Sequence, residues 1–168
     1  MSKEESKLRF VVHEHNASKL HYDFRLEMGG VLKSWAIPKG PSMNPSDRRL
    51  AIMVADHPVG YIDWEGIIPE GNYGAGSVVV WDTGTYEILE GKDPLKEISE
   101  GKLSFNLRGK KLKGAFALAL MKGRGIGKEW LLMKKKDAYS DPVFKIKTEL
   151  TDKKLSKLTV KVPPCETE

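Results

Sequence analysis

Leu20-His21-Tyr22-Asp23-Phe24-Arg25-Leu26-Glu27 alternates without a break: its even positions are apolar and its odd positions ionisable. That period of two predicts a β-strand that buries one face and turns the other away from the core. The segments around it read the same way. Arg49–Ala55 and Ser77–Trp81 are apolar and rich in β-branched residues, as buried strands are. Asp82-Thr83-Gly84 predicts a turn and Thr85–Leu89 a returning strand, so residues 77–89 read as a hairpin. Lys102–Leu107, Ala115–Met121 and Trp130–Lys134 add three strands, separated by the Gly109–Gly114 turn and the Gly123–Gly127 loop. Helical character is confined to Pro94–Glu100 and part of Asp152–Leu158, and no internal repeat is present. Short strands joined by Gly-rich turns predict a mainly β, single-domain compact β-barrel with one or two short helices. The expected organisation is a flexible tail over 1–8, the barrel over 9–140, and a Lys-rich segment over 141–168, either docked or mobile.

Composition narrows the class. The chain has 168 residues, 40% of them apolar, enough for one well-buried core. No apolar run approaches the roughly 20 residues that span a bilayer, and the N-terminus lacks a signal-type apolar core. The expectation is a cytoplasmic protein with no membrane partner. The single cysteine, Cys165, excludes an internal disulfide and a zinc site built from several thiolates. The net charge of +5 is divided unevenly. Residues 1–100 hold 11 Lys+Arg and 16 Asp+Glu, whereas residues 101–168 hold 17 and 7, giving −5 and +10. A basic half suits a polyanion, because each phosphate neutralised releases a counterion; a solvated lysine-rich surface fits the charge equally well.

The outward face of the 20–27 strand carries the chemistry. His21 and Asp23 stand two apart on that face, roughly 6.5–7 Å between Cα atoms, and His15 lies just upstream. Two imidazoles and a carboxylate suit a borderline divalent ion such as Mn²⁺, Zn²⁺ or Fe²⁺. Arg25, next on the face, is a natural bidentate partner for a phosphate oxygen. An ordinary exposed polar face explains the alternation too, but not its residue types. Trp35–Ser42 reads as a Pro/Gly-stiffened loop holding Lys39. Asp47-Arg48-Arg49 opens the next strand and Asp56-His57-Pro58 closes it, followed by Tyr61 and Trp64-Glu65-Gly66. The glycines at 71, 74 and 76 precede strand rather than helix and read as turn geometry, not as a nucleotide cradle.

His15-Asn16-Ala17-Ser18-Lys19-Leu20-His21-Tyr22-Asp23-Phe24-Arg25-Leu26-Glu27, the Ser34–Ser42 loop, Asp56-His57-Pro58 and Glu65-Gly66-x-Ile68-Pro69 together resemble the 3′-phosphoesterase module of DNA ligase D. Lys111-Leu112-x-Gly114 and Trp130–Lys134 fit it as well, so the resemblance covers residues 9–140. It implies a Mn²⁺-dependent β-barrel enzyme of prokaryotic non-homologous end joining, with Zn²⁺ or Co²⁺ as other occupants of the site. Such an enzyme removes a 3′-terminal ribonucleoside by phosphodiesterase chemistry and then the remaining 3′-phosphate, leaving a 3′-OH. His15, His21 and Asp23 match the family's metal ligands. Arg25, His57 and Tyr61 match residues around the scissile phosphate, and Lys39 and Arg49 match further required basic residues. The implied partner is a DNA 3′ end, with ligase, polymerase and end-binding proteins acting in trans.

His13 departs from the pattern, standing where glutamine is expected. It reads as a spare ligand or as polar filler, and filler is the favoured reading. Glu65 either orients a ligand or caps a turn, and His57 either protonates a leaving 3′ oxygen or donates a hydrogen bond to phosphate. Two other function classes stand beside the phosphoesterase. His21, Asp23 and His57 also spell the 2-His-1-carboxylate triad of an Fe(II)/2-oxoglutarate oxygenase, which requires His57 rather than His15 at the metal. A non-catalytic nucleic-acid module would use Trp35, Trp64 and Trp130 as stacking platforms.

Overall fold

The computed structural model describes residues 8–122 and 127–164. Residues 1–7, most of the Gly123–Gly127 loop and Cys165 lie outside the described residues. Nine strands follow one another as β1 (Leu8–Asn16), β2 (Leu20–Met28), β3 (Val31–Ile37), β4 (Arg48–Pro58), β5 (Gly66–Ile68), β6 (Gly76–Ile88), β7 (Lys102–Arg108), β8 (Lys113–Leu120) and β9 (Glu129–Lys134). The helices α1 (Pro94–Ser99) and α2 (Asp152–Lys157) are six residues each, and Val59–Tyr61 forms a 3₁₀ turn. None of the described helices is long and apolar enough to cross a membrane.

Every strand pair is antiparallel. The order β1-β2-β3-β4-β9-β8-β7-β6 returns to β1 through a β1–β6 ladder, which closes an eight-stranded barrel; β5 attaches to the first half of β6. Alternation along β2 puts Tyr22, Phe24, Leu26 and Met28 inside. There Phe24 meets Phe10, Trp35 and Phe105, and Phe105 stacks on Phe116. Among the described residues, packed side chains fill the barrel interior.

Three expectations need correcting. Residues 82–84 do not turn: β6 runs through them as one strand, with a register irregularity opposite Val12/His13. Asp82 is buried there, and its carboxylate accepts the backbone N–H groups of Lys110, Lys111 and Leu112 at 2.8–3.1 Å. Its short polar side chain serves the β7–β8 turn instead of making one of its own. The Trp35–Ser42 stretch is strand before it is loop, since Trp35–Ile37 completes β3. Trp35 and Trp130 pack edge-to-face in the core, which removes both as stacking platforms.

The C-terminal segment lies along the barrel. Lys147 O accepts the Trp81 indole N–H, and the buried Glu14 carboxylate accepts the N–H groups of Glu149 and Leu150. Further on, Val160 forms a parallel bridge with Ile67 of β5.

Candidate metal centre and phosphate pocket

Register assembles the site. Across β1 and β2, His15 pairs with His21, His13 with Asp23 and Val11 with Arg25. Directly opposed residues share a face, so the odd positions of both strands gather on the outer wall. Asp23 is opposed on its other side by Ala36, Arg25 by Ser34, and Leu32 by His57 of β4. Residues 59–76 then fold over this wall, and the segment bearing Pro163 joins them. A cavity of about 310 Å³ remains, lined by His15, His21, Asp23, Arg25, His57 and Tyr61 together with Ala17, Ser18, Ala36, Val54, Ile68, Tyr73, Gly74 and Pro163.

His15, His21 and Asp23 converge so that one donor atom of each lies within 4.8 Å of the others. His15 Nδ1 is 3.4 Å from one Asp23 oxygen and His21 Nε2 is 3.3 Å from the other. The remaining ring nitrogens point at carbonyls: His15 Nε2 at Gly74 O (2.7 Å) and His21 Nδ1 at Lys19 O (3.2 Å). Donation to those carbonyls would leave each inward nitrogen as a lone-pair donor once an ion is bound, as a metal-bound histidine requires; without an ion the inward nitrogens face the Asp23 carboxylate, to which a ring N–H donates. Burial opposes ionisation of Asp23, yet hydrogen bonds from His15 and His21 and the charge of Arg25 outweigh it. The carboxyl is held well below its ordinary range. The donor set therefore fits a divalent cation.

Arg25 is buried and held on three sides. Its Nε–H donates to His13 Nδ1 (3.0 Å), Nη1 to Ser34 Oγ (3.0 Å), and Nη2 approaches Asp23 Oδ2 (3.4 Å). The Tyr61 ring lies 5.0 Å from the guanidinium carbon, close enough for cation–π attraction. A guanidinium has five N–H donors, and these contacts engage three of them. His13 is thus neither spare ligand nor filler; its buried ring fixes the guanidinium. Burial and the Arg25 charge drive its pKa well down, so it stays neutral.

His57 Nδ1 meets Ala55 O at 3.0 Å, which directs Nε2 away from that carbonyl. Burial, reinforced by Arg25, lowers its pKa to about 4. Tyr61 packs its ring 5.2 Å from His57 and stacks on Trp64. His57 is not among the converging donors, so the triad required by the oxygenase reading does not form. Lys39 and Arg49 are not brought into the cavity. Lys39 is exposed in the turn after β3; Arg49 pairs with Asp47 on the face of β4 that carries Ala51 into the core. Glu65 braces a strand rather than capping a turn: it accepts the N–H of Val80 within β6 at 2.7 Å and pairs with Lys154. Sequence reasoning missed Ser34, whose spacing from Arg25 carries no signal before β2 and β3 are paired. It also missed Tyr73 and Pro163.

A filled barrel bearing a largely buried His-His-Asp cluster beside a buried arginine on its outer wall fits the class of metal-dependent phosphoesterases. Residues 13–120 match the model of the DNA ligase D 3′-phosphoesterase domain, and the chain belongs to that family. It is 49% identical over 155 residues to the multifunctional non-homologous end joining protein LigD of Pseudomonas aeruginosa, covering 91% of this chain and 18% of that protein. Identity to the non-homologous end joining DNA repair protein LigD of Mycobacterium tuberculosis is 44% over 135 residues, covering 80% of this chain and 17% of that protein. The LigD protein of Mycolicibacterium smegmatis is 42% identical over 133 residues, covering 77% and 17%. The chain thus spans less than a fifth of the length of these relatives.

Proposed function

We propose that the chain is a metal-dependent phosphoesterase acting on DNA 3′ ends. It removes a 3′-terminal ribonucleoside and then the residual 3′-phosphate, leaving a 3′-OH for ligation. The observation that carries this reading is Arg25, locked by His13, Ser34 and Asp23 beside the His15–His21–Asp23 cluster. Mn²⁺ is the assigned ion, with Zn²⁺ and Co²⁺ as possible substitutes, and when bound it supplies Lewis acidity toward a phosphoryl oxygen.

The protein's own groups do the rest. His15, His21 and Asp23 hold the ion. Arg25 binds two equatorial oxygens and, already desolvated and fixed, stabilises their growing charge without reorganising. His57 enters neutral; the negative charge of a bound phosphate opposes the effects that depress its pKa, so substrate binding draws a proton to Nε2. The imidazolium hydrogen-bonds phosphate and passes that proton to the leaving oxygen as the P–O bond to it breaks, while water bonds to phosphorus and releases one proton to solvent, which leaves His57 neutral again. Tyr61 fixes the planes of His57 and Arg25 by packing on both. Lys39 and Arg49, near the barrel rim where the β3–β4 connection runs, contact DNA flanking the scissile phosphate. The lysine-rich half follows the backbone. Joining is left to ligase, polymerase and end-binding proteins that work with the chain.

The test is a metal series on two primer–templates, one ending in a 3′-phosphate and one in a 3′-ribonucleotide, with EDTA as control. Release of phosphate and nucleoside with Mn²⁺, abolished in His21→Ala, is expected. No product with any divalent ion, or full activity in His21→Ala, refutes the reading.

A further inference from the structure

The cavity has a second side with different chemistry. Away from Arg25 and Asp23 its lining includes Ala17, Ile68, Tyr73 and Pro163. Tyr73 is 68% exposed, although it lines a pocket and belongs to a tethered loop. The tether has two points. Gly74 O holds His15 Nε2, and a Cβ on Gly74 would stand 3.2 Å from the His15 ring; Gly76 crosses β1 so closely that a Cβ there would overlap the Asn16 carbonyl. The Tyr73 ring therefore starts one residue from the carbonyl that faces a histidine of the metal cluster, yet most of its surface is exposed among the described residues. Pro163 is placed just as firmly, because Ile67 N–H donates to Thr159 O (2.9 Å) and Lys161 N–H to Ile67 O (3.0 Å). An exposed aromatic face and a buried proline thus border an anion site.

We infer that Tyr73 is a stacking platform for the base of the terminal nucleoside, with Pro163 as a further apolar wall of the same slot. This rests on the phosphoesterase reading and adds a subsite to it. Stacking explains why an aromatic ring is left uncovered at this position, and it is tolerant of base identity because every base presents a π-face. The slot favours ends that carry a nucleoside beyond the scissile phosphate over ends that carry none.

Three primer ends of one sequence test it in the full chain: a 3′-ribonucleoside, the same end with an abasic ribose, and a 3′-phosphate. Tyr73→Ala should lower the ratio of kcat/KM on the base-bearing end to that on the abasic end about tenfold, within the range for one stacked base. The loss should fall on KM, and Tyr73→Phe should restore the ratio. A second readout needs no turnover: with EDTA present, a 3′-terminal 2-aminopurine riboside should be quenched on binding to the wild-type chain and not to Tyr73→Ala. Equal losses on all three ends, an unchanged ratio, or no wild-type quenching overturns the inference. Quenching by a wild-type chain that releases no product would leave the stacking site standing and refute the phosphoesterase reading instead.

Discussion

The Nε–H of Arg25 donates to Nδ1 of His13 across 3.0 Å, with both side chains buried. The contact ties a histidine that sequence alone read as filler to the group proposed to bind phosphate. A glutamine offers an acceptor oxygen at the same place; a leucine does not. His13→Gln should therefore keep kcat/KM on a 3′-phosphate primer within a few-fold. His13→Leu leaves a charged donor unpaired and should lower it by about ten- to a hundred-fold, the equivalent of about 1.5–3 kcal/mol. Equal activity in the two variants would show that the ring does not position Arg25.

Gly74 has φ +76°, and its Cβ would stand 3.2 Å from His15 Cε1. Gly74→Ala should cost about 1–2 kcal/mol in backbone strain and displace the ring it orients. Because Gly74 O also favours the His15 tautomer that binds an ion, affinity for Mn²⁺ should fall about ten- to a hundred-fold. Calorimetric titration of the metal, with a melting curve for the backbone cost, separates the two effects.

Asp82 is the buried acceptor for three successive N–H groups of the β7–β8 turn. Asp82→Ala strands them and should destabilise the chain by about 3 kcal/mol or more; Asp82→Asn keeps one acceptor and should cost less. Urea unfolding measures both. Loss of less than about 1 kcal/mol in Asp82→Ala would contradict the role given to this carboxylate.

Two histidines resist protonation in the fold. Burial and then Arg25 lower His13, and the same causes bring His57 to about 4 from an ordinary 6.5. As pH falls from 6.5 towards 4 the unfolded chain binds more protons than the folded one, so stability drops. His21 has the opposite sign: Asp23 raises its pKa against the effect of burial, and its contribution is present below 6.5 and fades as pH rises through the folded value. The metal-free chain should melt at a lower temperature at about pH 4.5 than at neutral pH, and His57→Gln should flatten that slope. An unaltered slope would mean that His57 titrates normally.

Much of this was readable from residue spacing. Tyr22, Phe24 and Leu26 enter the core while His21, Asp23 and Arg25 take the opposite face because a strand leaves no other choice; Leu20, at the strand's start, stays exposed. His15 joins through register alone: the short 16–20 connection pairs it with His21. What escaped depends on partners distant in sequence. Asp82-Thr83-Gly84 has local turn chemistry that the 110–112 backbone overrides. Lys39 and Arg49 sit near the site in sequence, but Lys39 lies in the turn beyond β3 and alternation along β4 puts Arg49 on the face of Ala51. Glu65 looks like a ligand until Val80 is beside it. Tyr73 hides in a run of turn glycines, and Pro163 reaches the pocket only because a parallel bridge docks the segment before it.

β1 is the seam of the barrel, hydrogen-bonded to β2 on one edge and to β6 on the other. One donor of the cluster, His15, hangs from that seam, and the other two hang from the strand next to it. An ion gripping all three is therefore a rivet between β1 and β2, added to their ladder hydrogen bonds, the Arg25–His13 bond and the Phe10–Phe24 contact. Its binding free energy adds to closure, because the unfolded chain has no such site. Occupancy should register far from the pocket as slower hydrogen exchange at the backbone amides of β1, β2 and the facing half of β6. Removing the ion would loosen that seam before it disturbed β7, β8 or β9.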